Sequence, residues 1–266
     1  VICSPTNLHI EQGIELAKRG IHILMEKPLA HNLDGIDEFR SLVEQNNVVV
    51  LMGYIFRFSP LTDKVLELLN SNVIGKVLFV RGEFSEYLPD WHPYEDYRSF
   101  YMSKKSQGGG ALMDESHGID LLRYLFGEIK SVYADVKNIS ELELSSDDAA
   151  LLTLEFKNGI NCHANFDLIS RYPRVNIEII GSKGNIIWDR IDPEIKIYSS
   201  IEKKWRVQKF KKEDTLSMYN NQAKFFVHLL SSRKIKNFLD IDDAMKTQNI
   251  IDKSFLSSKK MKKIKL

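Results

Sequence analysis

The chain has 266 residues, of which 43% are hydrophobic and 27% are charged, and its formal net charge at pH 7 is +1. This length and composition suit a buried core for one large domain or two modest ones, and the nearly balanced charges do not predict a nucleic-acid groove or a membrane surface as partner. The two cysteines, Cys3 and Cys162, lie far apart without C-x-x-C spacing. This favours a reducing, cytoplasmic location over a disulfide scaffold.

The first 56 residues alternate between short apolar strands and helices. In chain order the predicted elements are a strand at 1–3, a helix at 8–19, a strand at 21–25, a helix at 34–46 and a strand at 48–52. This alternation is typical of a parallel sheet with crossover helices. We therefore expect residues 1–56 to form the carboxy-terminal half of a doubly wound domain. Because the chain enters its first strand at Val1 without a lead-in, we expect an amino-terminal truncation.

From Lys76 onward the pattern changes to strands of alternating character joined by turns. The predicted strands are 76–81, 131–136, 149–156, 160–166, 175–180, 185–188, 195–198 and 205–210. They predict a second α/β domain, residues 57–266, with a large mostly antiparallel sheet. The helices expected to cover it are 61–70, 113–126, 218–230 and 241–255, and the last could also pack on the first domain. The lysine-rich residues 259–265 predict a solvated, frayed end.

Two polar segments follow strands of the predicted parallel sheet. They are Ser4-Pro5-Thr6-Asn7 and Glu26-Lys27-Pro28. Ligands of open parallel sheets bind outside the carboxyl ends of the strands, so we expect both segments to face one crevice. At a partly desolvated mouth the Lys27 ammonium could hydrogen-bond a hydroxyl or carry a shifted pKa. From this tripeptide alone, a surface lysine beside a turn proline is the simpler interpretation.

A glycine-rich segment, Gly108 to Asp120, is the most informative part of the sequence. Three glycines precede a predicted helix that carries Asp114 and His117 one turn apart. Both side chains could reach one cleft, where the carboxylate would orient the ring and raise its basicity for proton transfer. Alternatively, Asp114 complements the helix dipole and His117 flanks the core. The histidines lack metal-ligand spacing, so no metal is expected, and no G-x-G-x-x-G loop occurs.

An aromatic and basic segment lies just before the glycines. It contains Trp91-His92-Pro93, Tyr97-Arg98 and Tyr101. Such a loop can stack on a sugar or a nicotinamide and pair with a phosphate or a carboxylate. It can equally be a packed loop without a ligand.

The order and spacing of these motifs resemble the glucose-fructose oxidoreductase and inositol dehydrogenase family, Gfo/Idh/MocA, over nearly the whole chain. The segments that carry the resemblance are Ile2 to His9, Glu26 to Leu29, Gly53-Tyr54, Arg57 to Pro60, Ile74 to Val77 and Gly108 to Asp120. A weaker resemblance rests on the loop from Trp91 to Arg98 and on the Asp-x-Ser-His pattern at Asp114. It is to members that act on nucleotide-linked or acidic sugars in surface-glycan pathways.

The resemblance implies a partial Rossmann domain followed by an α/β domain whose antiparallel sheet supports a homodimer or homotetramer. It also implies hydride transfer between NAD or NADP and a hydroxyl-bearing carbon of a sugar or nucleotide-sugar. The alternative is a non-catalytic sugar-binding or dimerisation module that lost its nucleotide-binding half. Because the family's glycine-rich phosphate loop does not occur in these 266 residues, we expect weak or no cofactor binding by this chain alone.

The resemblance also implies roles for individual residues. Lys27 would hydrogen-bond the reacting hydroxyl and contact the nicotinamide ribose, and His117 would exchange the hydroxyl proton. Asp114 matches the family's aspartate, but its spacing from His117 is one residue shorter than in many members, so the division of roles between them stays open. The expected cofactor contacts are Ser4, Pro5, Thr6, Asn7, His9, Glu26, Lys27, Arg57, Tyr97 and Arg98. The expected substrate contacts are Tyr54, Trp91, His92, Asp114 and His117.

Overall fold

The first part of the chain forms a small parallel sheet. The computed structural model describes residues 1–232 and 236–266. Its first elements are α1 (His9–Lys18), β1 (Ile23–Met25), α2 (Ile36–Gln45) and β2 (Val50–Met52). Strands β1 and β2 pair in parallel, and the predicted first strand is reduced to one parallel bridge between Ile2 and Met25. The strands are shorter than predicted because the His22 side chain accepts the Val49 amide hydrogen bond at 3.0 Å, where the ladder would otherwise continue.

The second sheet confirms the predicted change to mostly antiparallel pairing. Its strands are β3 (Val77–Tyr87), β4 (Ile129–Lys137), β5 (Ala149–Phe156), β6 (Asn161–Asp167), β7 (Ile169–Gly181), β8 (Gly184–Asp189), β9 (Glu194–Ser199), β10 (Lys204–Lys209) and β11 (Ile264–Lys265). Their spatial order is β10-β9-β8-β7-β3-β6-β5-β4-β11. Within the described residues, β3 and β6 are the parallel pair of this sheet. This pairing places β3, the first strand, in the centre.

Helices cover one face of the large sheet. They are α3 (Pro60–Asn70), α4 (Ala111–Asp114), α5 (Ser116–Phe126), α6 (Lys212–Ser232) and α7 (Ile241–Lys260). Phe84 and Phe166 stack on this face with their ring centroids 5.2 Å apart, while Tyr133 and Leu151 on the other face are about half exposed. The alternation is typical of an antiparallel sheet with one buried face. None of the helices in the described part of the chain has the length and apolar character that a membrane crossing needs.

The lysine-rich end is ordered, so the prediction of a frayed tail is wrong. Helix α7 ends at Met261, which adopts a left-handed conformation with φ of 49°. The chain then turns back, and β11 pairs antiparallel with β4. The Leu266 amide donates to the Lys130 carbonyl at 3.0 Å, and Lys263 forms an ion pair with Glu155. The free edge of β4 supplies hydrogen-bond partners that the lysine-rich composition did not reveal.

A buried ion-pair network connects the segment after β2 to helices α5 and α7. The Arg57 guanidinium donates to Asp120 at 2.7 Å, to Asp243 at 2.6 Å and to the Phe238 carbonyl at 2.8 Å. Arg123 donates to the other Asp243 oxygen at 3.0 Å. The Arg57 side chain is only 4% exposed. The structure therefore assigns Arg57, expected from the sequence as a cofactor contact, to a network that holds the fold together.

Replacing Arg57 with Met should lower the free energy of unfolding by about 3–5 kcal/mol, because it leaves buried carboxylates without their positive partner. Denaturant unfolding followed by circular dichroism measures this change. The control is Arg98→Met, which breaks only exposed ion pairs with Asp96 and Glu143 and should leave the unfolding midpoint nearly unchanged. Equal losses in the two variants would contradict the importance of the buried network.

Candidate active site

A cavity of about 290 Å³ opens beyond the carboxyl end of β1, between the small parallel sheet and the large sheet. Its volume is at the small end of the range for ligand pockets, about 300–1,000 Å³. The charged and titratable residues that line it include Glu26, Lys27, Glu86, Asp114, Glu115, His117 and Arg190. The structure thus brings the predicted residues Lys27, Asp114 and His117 to one cavity, together with Glu26 and Trp91.

The Lys27 ammonium is held by Asp114. Its Nζ donates to the Asp114 carboxylate at 2.9 Å and to the Asp114 backbone carbonyl at 2.6 Å. The Tyr101 hydroxyl donates to the same carboxylate oxygen at 2.7 Å. Burial by itself lowers the pKa of Lys27, but the charge and hydrogen bond of Asp114, together with Tyr101 and Glu115, outweigh it and raise the pKa above its ordinary value. Lys27 is therefore a charged hydrogen-bond donor at neutral pH and not a base.

The expected hydrogen bond between Asp114 and His117 is not formed. The predicted helix is divided at Glu115 into α4 and α5, and the Asp114 carboxylate binds Lys27 and Tyr101 instead. A buried ammonium needs a negative partner more than a neutral imidazole does. The expectation that Asp114 orients the ring of His117 is therefore wrong.

Aromatic rings position His117 in place of the carboxylate. Its imidazole stacks on Phe56 with 4.7 Å between ring centroids, and Tyr54 meets it edge-on at 6.0 Å. Burial lowers the pKa of His117 well below its ordinary value, and the positive charges of Lys27 and Arg190 lower it further. The imidazole is therefore neutral at pH 7 and able to accept a proton.

Three charged residues of the cavity wall were not found by sequence reasoning. Glu86 lies near the end of β3, Glu115 lies between α4 and α5, and Arg190 directly follows β8. Burial raises the pKa of Glu115 well above its ordinary value, and the neighbouring Glu86 raises it further. Burial also raises the pKa of Glu86, partly opposed by Arg190. Strand pairing between distant segments brings these residues together, and no local sequence motif indicates their proximity.

Several buried polar atoms in the cavity wall lack a partner. They are Asp114 Oδ2, His117 Nδ1 and Arg190 Nε, none of which has a hydrogen bond to the described residues. Buried polar atoms in proteins are normally hydrogen-bonded. A set that combines acceptors and a donor around one cavity fits a ligand with several polar groups.

The loop of residues 4–7 lies at the carboxyl end of the first segment, next to this region. His9 orders it, since one ring nitrogen is 3.0 Å from the Ser4 carbonyl oxygen and the other is 2.9 Å from that of Pro28. The buried Oδ1 of Asn7 has no hydrogen-bond partner in the part of the chain that the structure describes. Of the residues predicted here from the sequence, His9 thus holds the loop, and Asn7 has a buried polar atom without a partner among the described residues.

The remaining predicted contacts do not line the cavity. His92 and Arg98 are exposed, and the Tyr97 hydroxyl accepts a hydrogen bond from the Glu143 amide at 3.2 Å. The Arg98 guanidinium also pairs with the Glu143 carboxylate. Tyr97 and Arg98 thus contact Glu143 within the protein, and the ligand contacts expected of the three residues stay predictions.

Comparison with known proteins identifies the family. Residues 1–54 match the family model described as an oxidoreductase family with an NAD-binding Rossmann fold. Residues 62–187 match the GFO/IDH/MocA C-terminal domain. The chain belongs to the GFO/IDH/MocA family. The resemblance seen in the sequence is thereby confirmed.

Individual relatives are 24–30% identical to the chain over the aligned residues. The levoglucosan dehydrogenase of Pseudarthrobacter phenanthrenivorans is 29% identical over 214 residues, which are 71% of this chain and 54% of that protein. The myo-inositol 2-dehydrogenase of Thermotoga maritima is 30% identical over 202 residues, covering 72% and 56%. The 2,7-anhydro-N-acetylneuraminate hydratase of Mediterraneibacter gnavus is 24% identical over 196 residues, covering 72% and 51%. The chain spans about half the length of the curated relatives it matches.

Solved structures show the same fold. A levoglucosan dehydrogenase in complex with NADH and levoglucosan superposes with a TM-score of 0.84 at 22% identity, covering 100% of this chain and 79% of that one. An inositol dehydrogenase homologue from Azotobacter vinelandii, complexed with NADH and myo-inositol, gives a TM-score of 0.81 at 14% identity, covering 99% and 76%. The predicted fold class, a parallel Rossmann-type part followed by a large mostly antiparallel sheet, is confirmed.

Replacing Asp114 with Asn should lower the pKa of Lys27 by more than about one unit, because burial then acts without the opposing carboxylate charge. Selective 13C labelling of lysine and an NMR titration of its ε-carbon measure this pKa. The control is Asp135→Asn, which removes a carboxylate from the open face of the large sheet, where it pairs with Lys137. An unchanged Lys27 titration in the Asp114 variant would show that this ion pair does not govern the charge of Lys27.

Proposed function

We propose that this protein is an NAD- or NADP-dependent oxidoreductase that transfers hydride between the nicotinamide and a hydroxyl-bearing carbon of a sugar, polyol or nucleotide-sugar. The observation that carries the proposal is the cavity in which a clamped Lys27 ammonium and a neutral His117 lie together at the end of a parallel strand. Membership of the GFO/IDH/MocA family and relatives named for levoglucosan and myo-inositol support it.

The residues present fit the nicotinamide end of such a cofactor. The loop of residues 4–7, Glu26 and Lys27 follow segments of the small parallel sheet, where ligands of open parallel sheets bind. The unpartnered Oδ1 of Asn7 is suited to a ribose hydroxyl or a carboxamide. When bound, the nicotinamide supplies the centre that accepts or donates the hydride.

The chain's own residues account for the proton. During oxidation, the substrate hydroxyl loses its proton to a ring nitrogen of His117 while its carbon loses the hydride, and reduction reverses both transfers. The Lys27 ammonium hydrogen-bonds the same oxygen and stabilises the negative charge that develops on it. Asp114 keeps Lys27 charged and in place, and Phe56 fixes the plane of the imidazole. This divides the roles that the sequence left open: Asp114 positions the lysine, and His117 exchanges the proton.

A non-catalytic sugar-binding module, the alternative considered from the sequence, has no use for this arrangement. Binding a hydroxyl requires neither an uncharged base nor a lysine held as an ammonium beside it. The pairing of a proton acceptor with a fixed positive charge is typical of an active site.

Replacing His117 with Asn should lower kcat at least about 100-fold, because the proton acceptor is lost. The assay follows NADH or NADPH absorbance with myo-inositol and levoglucosan as substrates, and thermal unfolding measures stability in parallel. The control is His163→Asn, on the open face of the large sheet and remote from the cavity. Intact turnover in the His117 variant would exclude His117 as the residue that exchanges the proton.

We also propose that the open face of the large sheet mediates a homodimer or homotetramer, as the sequence suggested. Tyr133 and Leu151 lie on neighbouring strands of this face and are 43% and 56% exposed. Exposed apolar side chains on a broad sheet face are typical of protein interfaces. Replacing Leu151 with Arg should shift the protein toward monomer in sedimentation velocity, whereas Leu216→Arg, on α6, should not. A wild-type protein that sediments as a monomer at every concentration would refute the proposal.

A further inference from the structure

Two glutamates of the cavity have no role in the proton transfer described above. Glu86 comes from β3, in the centre of the large sheet, and Glu115 comes from the break between α4 and α5. Glu115 is only 6% exposed. Arg190 lines the same cavity, and its positive charge opposes the burial effect on both glutamates. An acidic pair with one buried member and a nearby cation needs a function or a compensating partner.

The charges of the cavity favour an uncharged ligand. The carboxyl groups among its described lining residues belong to Glu26, Glu86, Asp114 and Glu115, and the cationic groups to Lys27 and Arg190. Lys27 is already neutralised by Asp114 at 2.9 Å. The positive charge of Arg190 lowers the pKa of both Glu86 and Glu115, and its buried Nε has no hydrogen-bond partner among the described residues, so it can donate to a ligand hydroxyl. A further negative charge here would meet more carboxyl groups than cations.

The acidic pair is also suited to hydroxyl groups. Two carboxyl groups that line one poorly solvated cavity do not both ionise readily, which favours a proton shared by the pair. Burial and the neighbouring Glu86 raise the pKa of Glu115 in agreement with this. A pair that shares one proton offers both a donor and acceptors. Each hydroxyl of a sugar or polyol also donates and accepts, so neighbouring hydroxyls can bind both carboxyl groups.

The same wall connects this pair to the proton acceptor. The Arg190 guanidinium lies 5.1 Å from the centroid of the Phe56 ring, and the His117 ring centroid lies 4.7 Å from that of the same ring. A ligand whose hydroxyls bind Glu86 and Glu115 is thereby held beside the imidazole. Both glutamates and His117 line the same cavity of about 290 Å³.

We propose that Glu86 and Glu115, together with Arg190, form a subsite that binds neighbouring hydroxyl groups of an uncharged sugar or polyol and excludes sugar acids. This inference rests on the proposed function, because it places the substrate in the same cavity. It differs from the weaker sequence resemblance, which includes members that act on acidic sugars. The subsite selects by charge, and the Lys27 and His117 pair carries out the proton chemistry.

The test compares sugars that differ only in a carboxylate. Isothermal titration calorimetry and ligand-observed NMR at pH 7 measure the binding of glucose against glucuronate and of galactose against galacturonate, with myo-inositol as a further neutral probe. We expect a neutral probe to bind, and each acid to bind at least about tenfold more weakly than its neutral counterpart, because an added like charge opposes binding. This wild-type comparison needs no variant to fold.

Variants then assign the selectivity to the pair. Glu86→Gln and Glu115→Gln keep the side-chain size but remove the negative charge, so they should reduce the preference for the neutral sugar about tenfold. The control is Glu83→Gln, at the open face of the sheet, which should leave the preference unchanged. The proposal is overturned if an acid binds as well as its neutral counterpart, if no neutral probe binds, or if the preference persists in both variants.

Turnover separates this inference from the proposed function. If the full-length protein prefers neutral sugars but transfers no hydride to NAD or NADP, the subsite proposal is supported and the proposed oxidoreductase function is refuted. If glucuronate is turned over faster than glucose, the charge selectivity of the subsite is refuted and the proposed oxidoreductase function is supported.

Discussion

The ion pair between Lys27 and Asp114 is the interaction on which the arrangement of the site depends. Lys27 follows β1 of the small sheet, and Asp114 ends the short helix α4 that precedes α5. An ammonium that is only 12% exposed requires a negative partner, and removal of either charge would leave the other buried alone. The pair therefore joins the two parts of the chain and fixes the direction in which the Asp114 carboxylate points.

The state of His117 follows from that pairing. With Asp114 bound to Lys27 and Tyr101, His117 Nδ1 has no hydrogen-bonded carboxylate among the described residues, and two cations oppose protonation of the imidazole. An aromatic ring positions the imidazole in place of a carboxylate, because Phe56 stacks on His117. One ion pair thus produces both a permanent hydrogen-bond donor and a neutral proton acceptor. The interruption of the helix at Glu115 also brings a further carboxyl group into the cavity wall.

The sequence predicted the elements whose signal is local. Apolar strands, their alternation with helices and the position of Lys27 at a strand end were readable because each depends on neighbouring residues. The position of Glu86 relative to Arg190 was not readable, because it depends on the pairing of β3 with β7 and of β7 with β8. Arg57 was expected at the cofactor from the family resemblance, and its partners Asp120 and Asp243, which are distant in sequence, were not readable. The prediction of a frayed tail was wrong for a related reason, because the tail pairs with the edge of β4, which is distant in sequence.

Similarity of fold leaves the choice of substrate open, and the chemistry of the cavity restricts it. Relatives with comparable coverage are named for a polyol, for an anhydrosugar and for a neuraminate derivative, which carries a carboxylate. One scaffold therefore accommodates neutral and acidic compounds, so specificity must come from particular side chains. In this chain Lys27 is already paired with Asp114, four carboxyl groups and two cations line the cavity, and burial raises the pKa of both Glu86 and Glu115. A cavity built in this way gains little from a ligand's negative charge and much from its hydroxyl groups.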